Sequence, residues 1–379
     1  MSSYRDLVDG STYDIKTPRW RSQARRPLWI DPGPGLSPSD LDTSKRSLWR
    51  YRTAFPLTFC HPISLGEGIT PLVECEWEKR GRPLMKLDFL NPTGSFKDRG
   101  TSVMLSYLRD RGIHAILEDS SGNGGSSVAG YGTTGGLRVK IFAPASTSPA
   151  KIAQVRAYGA EVQLVPGPRE ESQNEAIRQS EGEAFYASHN WQAFFLQGTK
   201  TLAYELWEDL GFRAPNNVIV PVGAGSSLLG CWLGFRELVN AGHINRMPRL
   251  FAAQPLNCSP VDATFNAGTD QPADRPVTTT IAEGTSISRP LRLKQMIAAL
   301  RDSGGGTVAV TEEEIACALA GLCARGFFVE PTSAVAAAAF SKLLSRKAIE
   351  EAETTVVLLT GSGLKSATTV SALVEGVRV

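Results

Sequence analysis

Short apolar segments alternate with helix-like segments along this chain, and that alternation limits its fold more than any other feature. The segments at 161–165 and 218–222 have the length and apolar character of buried strands. Helical periodicity follows each of them, at 170–181 and 228–240. Strands that alternate with helices are typical of parallel sheets with right-handed crossovers. The sequence therefore predicts an α/β fold built on doubly wound sheets.

The same alternation continues toward the C-terminus. We expect a helix at 312–325 and then a short strand at 327–329. An alanine-rich helix at 333–344 and a core strand at 355–359 should follow, with the strand ending at Thr360.

One lysine stands at a predicted strand-to-helix junction, in the segment N-P-T-G-S-F-K-D-R at 91–99. A strand is predicted at 83–87 before it and a helix at 101–111 after it. The positive field at a helix start, together with desolvation, lowers the pKa of an amine and favours its nucleophilic form. Most lysines are simply solvated, but Lys97 has the setting that Schiff-base chemistry needs.

Small residues dominate the segment D-S-S-G-N-G-G-S-S at 119–127, which follows an apolar run at 113–117. In such a loop, backbone N–H groups and hydroxyls point outward at a helix N-terminus, an arrangement that suits a carboxylate. The same residue types also form ordinary turns, so both interpretations stay open at this point.

A second glycine-rich loop, G-A-G-S-S at 223–227, follows the predicted strand at 218–222. Glycine backbone can wrap closely around an anion, and the serine hydroxyls add donors, so the loop predicts a phosphate cradle. It is neither a P-loop nor a complete dinucleotide-binding fingerprint. Both loops should lie at the carboxyl ends of strands, where α/β sheets bind ligands.

Charge and cysteine content argue against several classes of function. The 40 Lys and Arg residues nearly balance the 38 Asp and Glu residues, which leaves no electrostatic case for a nucleic-acid partner. Six cysteines without C-x-x-C spacing lead us to expect no metal site. No apolar run approaches the roughly 18 residues of a membrane span, and no signal-peptide pattern opens the chain. A cytoplasmic protein without a membrane partner is therefore expected.

Four motifs occur in the order and spacing of a known family: the lysine segment, the two loops, and L-T-G-S-G-L-K at 359–365. In these motifs the chain resembles the pyridoxal-phosphate enzymes of the tryptophan-synthase-β type, which share fold type II. Within them, L-G-E-G-I-T-P-L at 65–72 resembles the threonine synthase signature. The resemblance covers residues 60–379 and implies pyridoxal 5'-phosphate (PLP) as the cofactor.

The resemblance also implies an architecture. Fold type II consists of two open doubly wound α/β domains with the cofactor in the cleft between them. It implies a large PLP-binding domain at 61–100 plus 185–379, a small mobile domain at 101–184, and a homodimer. Residues 1–60 are rich in Pro, Arg, Ser and Trp, and we interpret them as an N-terminal extension anchored by its aromatic side chains.

Carried over position by position, the resemblance assigns roles to individual residues. Lys97 would hold the cofactor as a Schiff base and act as the catalytic base, and Phe96 would pack beside the pyridine ring. Further cofactor contacts would come from Asn123 at the ring hydroxyl, from Gly223, Ala224, Gly225, Ser226 and Ser227 at the phosphate, and from Thr360 at the ring nitrogen. The substrate would be bound by Ser120, Ser121, Gly122, Asn123 and Gly124. A hydroxyl at Thr360 cannot protonate the ring nitrogen as an acid would, which favours elimination and replacement over transamination.

Two further segments bear on the substrate. Threonine synthases carry an asparagine-proline-x-arginine stretch before a G-Q-K-T helix start, whereas residues 188–201 here keep Asn190 and G-T-K-T but lack the arginine. The candidates to replace it are Lys200, Arg289, Arg292 and Lys294. The A-E-G at 282–284 resembles the A-D-G of serine and threonine dehydratases, so Glu283 either faces the substrate or is a solvated loop residue. His189 is one more candidate for a substrate contact.

The predicted function is that of a PLP-dependent lyase similar to threonine synthase. Such an enzyme acts on O-phosphohomoserine at Cγ and Cβ and gives threonine and phosphate. The alternative is an ammonia-lyase or dehydratase that acts on serine, threonine, or a hydroxy- or diamino acid. A third hypothesis is a regulatory protein that binds PLP or an amino acid without turnover.

Overall fold

The computed structural model describes residues 2–77, 81–147 and 149–377. The β-strands are, in chain order, β1 Ser3–Arg5, β2 Thr12–Asp14, β3 Leu72–Glu74, β4 Leu84–Lys86, β5 Ala115–Glu118, β6 Arg138–Pro144, β7 Glu161–Val165, β8 Phe185–Tyr186, β9 Asn217–Pro221, β10 Arg249–Pro255, β11 Gly306–Val310 and β12 Thr355–Leu358. The α-helices are α1 Lys97–Asp110, α2 Asn123–Thr134, α3 Pro149–Ala157, α4 Arg169–Gln179, α5 Ala193–Thr199, α6 Thr201–Asp209, α7 Ser226–Asn240, α8 Pro260–Asn266, α9 Leu293–Asp302, α10 Glu312–Cys323, α11 Pro331–Ser345 and α12 Ala367–Val377. This is the mixed α/β fold with parallel sheets that the strand and helix alternation predicts.

The chain forms two compact units. The first consists of Met1–Gly68 and Asn91–Thr201, and the second of Ile69–Leu90 and Leu202–Val379. The residues of the predicted N-terminal extension thus belong to the first unit. The division into a large domain at 61–100 plus 185–379 and a small mobile domain at 101–184 has other bounds and stays a prediction.

The first unit contains a parallel sheet with the strand order β7-β6-β5-β8. The chain adds β6 and β7 on one side of β5 and then places β8 on the other side, so the order reverses at β5. Ligands of open α/β sheets bind at the carboxyl ends of strands where such a reversal occurs. The serine- and glycine-rich loop at 119–122 begins at that end of β5.

The second unit contains a sheet with the order β11-β10-β9-β12-β4-β3, in which only β3 pairs antiparallel among the described strands. Here the order reverses at β9, which lies between β10 and β12. The glycine-rich loop at 222–225 follows β9, and Thr360 stands two residues beyond β12. The reversal therefore places both predicted cofactor segments of this unit at one edge of its sheet.

The core of the second unit explains why its strands are continuously apolar. Every residue of β9 and β12 is buried. One covering element is α11, in which Ala334, Ala336 and Ala337 are fully buried. Small side chains let a helix approach a sheet closely, and strands covered on both faces lose the polar alternation of a half-exposed sheet.

The N-terminal residues are held in the first unit by aromatic side chains. β1 and β2 form an antiparallel hairpin, and Tyr4 in β1 is fully buried. The Trp49 indole N–H donates to Ser102 Oγ at 2.9 Å, and the ring of Trp20 lies edge-on to that of Tyr186 with centroids 4.9 Å apart. These contacts bury large aromatic surfaces and satisfy a polar indole group, so they attach the extension firmly.

Some predicted elements differ from the structure. Residues 327–329 do not form a strand, because the Phe327 N–H bonds to the Leu322 carbonyl at the end of α10 and only Val329 makes an isolated bridge, to Ser362. The elements that were not predicted are β1, β2, β3, β11, α5, α8, α9 and α12. In the part of the chain described, the structure has no helix that is both long and apolar enough to cross a membrane.

Candidate active site

Lys97 is the first residue of α1 and follows the loop at 91–96. The next residue, Asp98, is fully buried and anchors this helix start. Its carboxylate accepts hydrogen bonds from the Thr93 N–H at 2.7 Å, the Thr93 hydroxyl at 2.5 Å and the Ser127 hydroxyl at 2.7 Å. A buried carboxylate with several donors is strongly held, so Asp98 ties the lysine loop to α2.

Aromatic rings surround the Lys97 side chain. Lys97 Nζ lies 4.9 Å from the centre of the Phe96 ring and 5.6 Å from that of the Phe195 ring. Lys97 is half-buried, and Phe195 belongs to α5. The amine therefore stands at a helix start against apolar and aromatic surface, as its predicted chemistry requires.

The contact between α1 and α5 needs glycine at two facing positions. A Cβ on Gly198 would lie 2.1 Å from the Arg99 carbonyl oxygen, and one on Gly100 would lie 2.5 Å from the Phe195 ring. Distances this short are sterically forbidden, so the G-T-K-T segment contributes close backbone packing beneath Lys97.

The loop at 119–122 leads into α2, whose first residue is Asn123. Gly122 precedes the helix and has no side chain that could cap it. Ser120 and Gly124 are buried, and Ser121 and Asn123 are half-buried. The first N–H groups of α2, together with these hydroxyl and amide side chains, form the kind of site that binds a carboxylate.

A buried Glu–His pair adjoins this loop, and only its histidine was predicted as a candidate. Glu118 Oε2 lies 3.1 Å from His189 Nδ1 and also accepts the His189 backbone N–H at 3.1 Å. Burial raises the pKa of Glu118 to about 7 and lowers the pKa of His189 well below its ordinary value. The contact is therefore a hydrogen bond of a neutral imidazole rather than a salt bridge of imidazolium. Asn190 follows, and its Oδ1 is buried without a hydrogen-bond partner in the described residues.

In the second unit, residues 222–225 form a tight turn between β9 and α7. Gly225 has a φ of 83° and caps α7, whose first residues are Ser226 and Ser227. A Cβ on Gly225 would also lie 2.0 Å from Met296 Sδ. Both the positive φ and the close contact explain why this position is glycine.

The same loop fits the phosphate of PLP. The Ser227 hydroxyl is buried and has no hydrogen-bond partner within the described chain. Buried hydroxyls are nearly always paired, so this one is suited to an acceptor supplied by a ligand. The turn carries no side chain larger than the Ala224 methyl group, and α7 begins at Ser226, so the first N–H groups of that helix suit an anion.

Thr360 is buried and belongs to a hydroxyl cluster in the second unit. Its N–H donates to Ser333 Oγ at 2.9 Å, and its Oγ1 lies 3.3 Å from that oxygen and 3.5 Å from Glu330 Oε1. Glu330 was not among the predicted site residues. Its only local signal is the Glu-Pro pair before α11, which is also an ordinary helix start.

The segment containing Glu283 packs beside the turn at 222–225. A Cβ on Gly223 would lie 3.0 Å from the Gly284 carbonyl oxygen, and the Gly284 N–H donates to Thr332 Oγ1 at 3.1 Å. Glu283 itself is exposed. The sequence could not reveal this proximity, because 60 residues separate positions 223 and 283.

The cations proposed to replace the missing arginine have different settings. Lys200 is buried and its Nζ donates to the Ala54 carbonyl at 2.8 Å. Arg289 and Lys294 are exposed, and Lys294 lies 3.8 Å from Asp270. Arg292 is buried, and burial lowers its pKa to about 10.

The predicted site residues are divided between the two units. The first unit contains Phe96, Lys97, Ser120 to Gly124, His189 and Asn190, and the second contains Gly223 to Ser227, Glu283 and Thr360.

Comparisons with known proteins agree with these features. The family described as "Pyridoxal-phosphate dependent enzyme" matches residues 63–361. The threonine synthase of Methanosarcina acetivorans is 31% identical over 336 residues, which are 87% of this chain and 83% of the relative. The threonine synthase of Methanocaldococcus jannaschii is 32% identical over 337 residues, with the same two coverages of 87% and 83%.

A solved structure confirms the fold. The fungal L-serine ammonia-lyase from Rhizomucor miehei superposes with a TM-score of 0.71 at 22% identity and covers 81% of this chain and 97% of its own. The family match and the threonine synthase relatives indicate a lyase that depends on pyridoxal phosphate. The chain therefore belongs to the family of pyridoxal-phosphate-dependent enzymes, as its four ordered motifs predict.

Proposed function

We propose that this enzyme converts O-phosphohomoserine into threonine and phosphate. The observation that carries the proposal is the extent of the match to two threonine synthases, each covering 87% of the chain at 31% or 32% identity. The threonine synthase signature at 65–72 supports the same assignment.

The proposed roles of the residues follow from their settings. PLP, when bound, supplies a ring that withdraws electrons from the amino-acid nitrogen and Cα. Lys97 binds the cofactor, and its Nζ then takes the proton from Cα and returns it. Its half-buried position against Phe96 and Phe195 keeps water away from that proton.

The two loops have complementary roles in this proposal. Ser120, Ser121, Gly122 and Gly124 bind the substrate carboxylate, and Asn123 orients the ring hydroxyl of the cofactor. Gly223 to Ser227 bind the cofactor phosphate at the start of α7. Thr360 offers a hydroxyl to the ring nitrogen, which favours loss of a leaving group over transamination.

A second candidate function is an ammonia-lyase or dehydratase reaction on serine, threonine, or a hydroxy- or diamino acid. The observation that favours it is the A-E-G segment, which packs against Gly223 and carries the exposed Glu283. The absence of an arginine from the segment at 188–201 also removes one expected contact to a substrate phosphate. Binding of PLP or an amino acid without turnover is the third and weakest candidate.

Product analysis separates these functions. We expect the PLP-loaded protein to release inorganic phosphate and threonine in equal amounts from O-phosphohomoserine. The control is the same preparation after borohydride reduction, which blocks the lysine without changing the sequence. Keto-acid and ammonia release from serine, threonine or 2,3-diaminopropionate, without phosphate release from O-phosphohomoserine, would favour the ammonia-lyase. A colour change without any product would favour the regulatory protein.

The Ser227→Ala substitution tests the proposed phosphate cradle. We expect the Kd for PLP to rise about 10- to 150-fold, because one hydrogen bond to a charged group is worth roughly 1.5–3 kcal/mol. The unliganded protein should keep its stability, since the Ser227 hydroxyl has no partner in the described residues. Fluorescence titration with PLP measures the affinity, and Ser371→Ala on the exposed face of α12 is the control. An unchanged Kd would show that the phosphate binds elsewhere.

We further propose a homodimer in the cytoplasm. The homodimer is the expectation for the family, and free thiols at all six cysteines are compatible with a reducing compartment. Light scattering coupled to size exclusion tests the dimer, and a monomer at micromolar concentration would exclude it.

A further inference from the structure

The strand order of the first unit brings two distant polar residues together. β5 and β8 are adjacent and parallel, so their carboxyl ends meet at the same edge of the sheet. Glu118 is the last residue of β5, and His189 stands three residues beyond β8. Their side chains are 0% and 6% exposed, respectively.

The hydrogen bonds of Glu118 determine which form of the pair is favoured. Its Oε1 accepts the Asp119 N–H at 3.0 Å, and its Oε2 accepts the His189 backbone N–H at 3.1 Å. The third group is His189 Nδ1, 3.1 Å from the same Oε2. Two backbone N–H groups already donate hydrogen bonds to this carboxyl, which favours its ionised form. A proton on His189 Nδ1 would donate the third hydrogen bond.

The imidazole also lies against the loop proposed to bind the substrate. A Cβ on Gly124 would lie 2.7 Å from His189 Cε1 and 2.8 Å from Nδ1, so no side chain separates the ring from the start of α2. The His189 and Phe195 rings have centroids 5.6 Å apart, and Lys97 Nζ lies 5.6 Å from the same Phe195 ring. His189 therefore lies against the 120–124 loop and has the Phe195 ring as a neighbour in common with the proposed catalytic lysine.

We propose that Glu118 is a positioning residue that holds His189 in the Nδ1–H tautomer, so that Nε2 is a hydrogen-bond acceptor for a donor group of the amino-acid substrate. This inference rests on the proposed function, since it needs an amino acid at the 120–124 loop. It deepens that function, because a neutral acceptor selects a substrate hydroxyl or ammonium group and rejects an additional anion at this point.

The charged surroundings give the pair a defined pH dependence. Lys97 of α1, Asp119 of the loop and Arg169 of α4 interact electrostatically with both members, and Tyr186 of β8 donates to Asp119 at 2.6 Å. The burial that lowers the pKa of His189 keeps its imidazole neutral. With a pKa of about 7, Glu118 is ionised above neutrality and protonated below it. Its ability to accept the Nδ1 proton is therefore present at higher pH and is lost as the pH falls through about 7.

Nuclear magnetic resonance of the unliganded protein tests the tautomer directly. The chain has only four histidines, so long-range proton–nitrogen spectra can resolve the His189 ring. We expect Nδ1–H in the wild type at pH 8, and loss of that single tautomer in Glu118→Gln, whose amide offers a donor and an acceptor instead of two acceptors. Asp119→Asn is the matched control: Asp119 is buried and adjacent but bonds to Tyr186, so this variant should keep the Nδ1–H form.

Kinetics test the consequence for substrate. In Glu118→Gln we expect kcat/KM to fall about 10- to 100-fold, the range known for carboxylates that orient a histidine in metal sites, because the imidazole no longer holds its hydrogen bond to the substrate. We expect the kcat/KM of the wild type to decline as the pH falls below about 7, and this decline to be absent in the variant. In the His189→Asn background, Glu118→Gln should have almost no additional effect, because Glu118 acts through the imidazole.

Each outcome decides the inference independently of the identity of the substrate. An Nε2–H tautomer in the wild type, an unchanged tautomer in Glu118→Gln, or additive effects in the double variant would each overturn it. If Glu118→Gln does not fold, the tautomer and pH titration of the wild type decide the question alone. Failure of O-phosphohomoserine as a substrate would end the proposed function but not this test, because the resonance experiment uses the unliganded protein.

Discussion

Lys97→Ala should lower kcat by about 10³-fold or more for whichever amino acid the wild-type enzyme converts. The same side chain binds the cofactor and moves the Cα proton in our proposal, so both capacities are lost together. We also expect the variant to lose the absorbance band of covalently bound cofactor. Any PLP that it still binds should be removed by dialysis. After borohydride treatment, mass spectrometry should find the cofactor adduct on the Lys97 peptide of the wild type and on no peptide of the variant.

Two further variants make this experiment specific. Lys97→Arg keeps the positive charge at the start of α1 but cannot form a Schiff base, so it should be as inactive as the alanine variant. Lys140→Ala removes a lysine of β6 in the same unit, where it pairs with Glu161 at 3.0 Å, and should remain active. An adduct on another lysine, or activity retained in Lys97→Ala, would contradict the assignment.

Gly198→Ala should destabilise the first unit by about 3 kcal/mol or more. The new Cβ would meet the Arg99 carbonyl oxygen at 2.1 Å and Gly100 Cα at 2.7 Å, and backbone atoms cannot rotate out of the way. Either α5 or α1 must shift, and a shift of α1 displaces Lys97 from its position. We therefore expect a lower midpoint of urea unfolding, followed by circular dichroism, together with weaker cofactor binding.

Gly376→Ala is the matched control for this substitution. Gly376 also lies in a helix, α12, but a Cβ there would meet nothing within 4 Å. Alanine favours a helix over glycine by roughly 0.5–1 kcal/mol, so this variant should be as stable as the wild type or slightly more stable. Equal midpoints for Gly198→Ala and the wild type would show that α1 and α5 do not pack as closely as described.

Much of the candidate site could be predicted from local sequence patterns. The sequence correctly places Lys97 and Asn123 near helix starts and the glycines at 223 and 225 directly before α7. These features depend on short-range rules, because strand periodicity, small residues and helix starts are determined within a few positions. The expected strand at 327–329 was wrong because the Phe327 N–H bonds to the end of α10 and only Val329 makes an isolated bridge.

Other features depend on contacts between segments that are distant in the chain. In the sequence, Glu118 is one acidic residue at the end of an apolar run, and nothing near it indicates burial or a partner. Its partner, His189, is 71 residues away and reaches it only because β8 pairs with β5. Similarly, Glu330 lies near Thr360 because α11 begins beside the end of β12.

The sequence by itself determined most of the strands and helices, the two loops, the position of the lysine and the family, because each is encoded by residue type and spacing over short stretches. Only the tertiary structure decided which strands are neighbours, and therefore which buried groups lie within hydrogen-bond distance and which pairs of helices need glycine at their contact. Strand order is a global property that depends on the packing of the whole unit, so a local pattern cannot specify it.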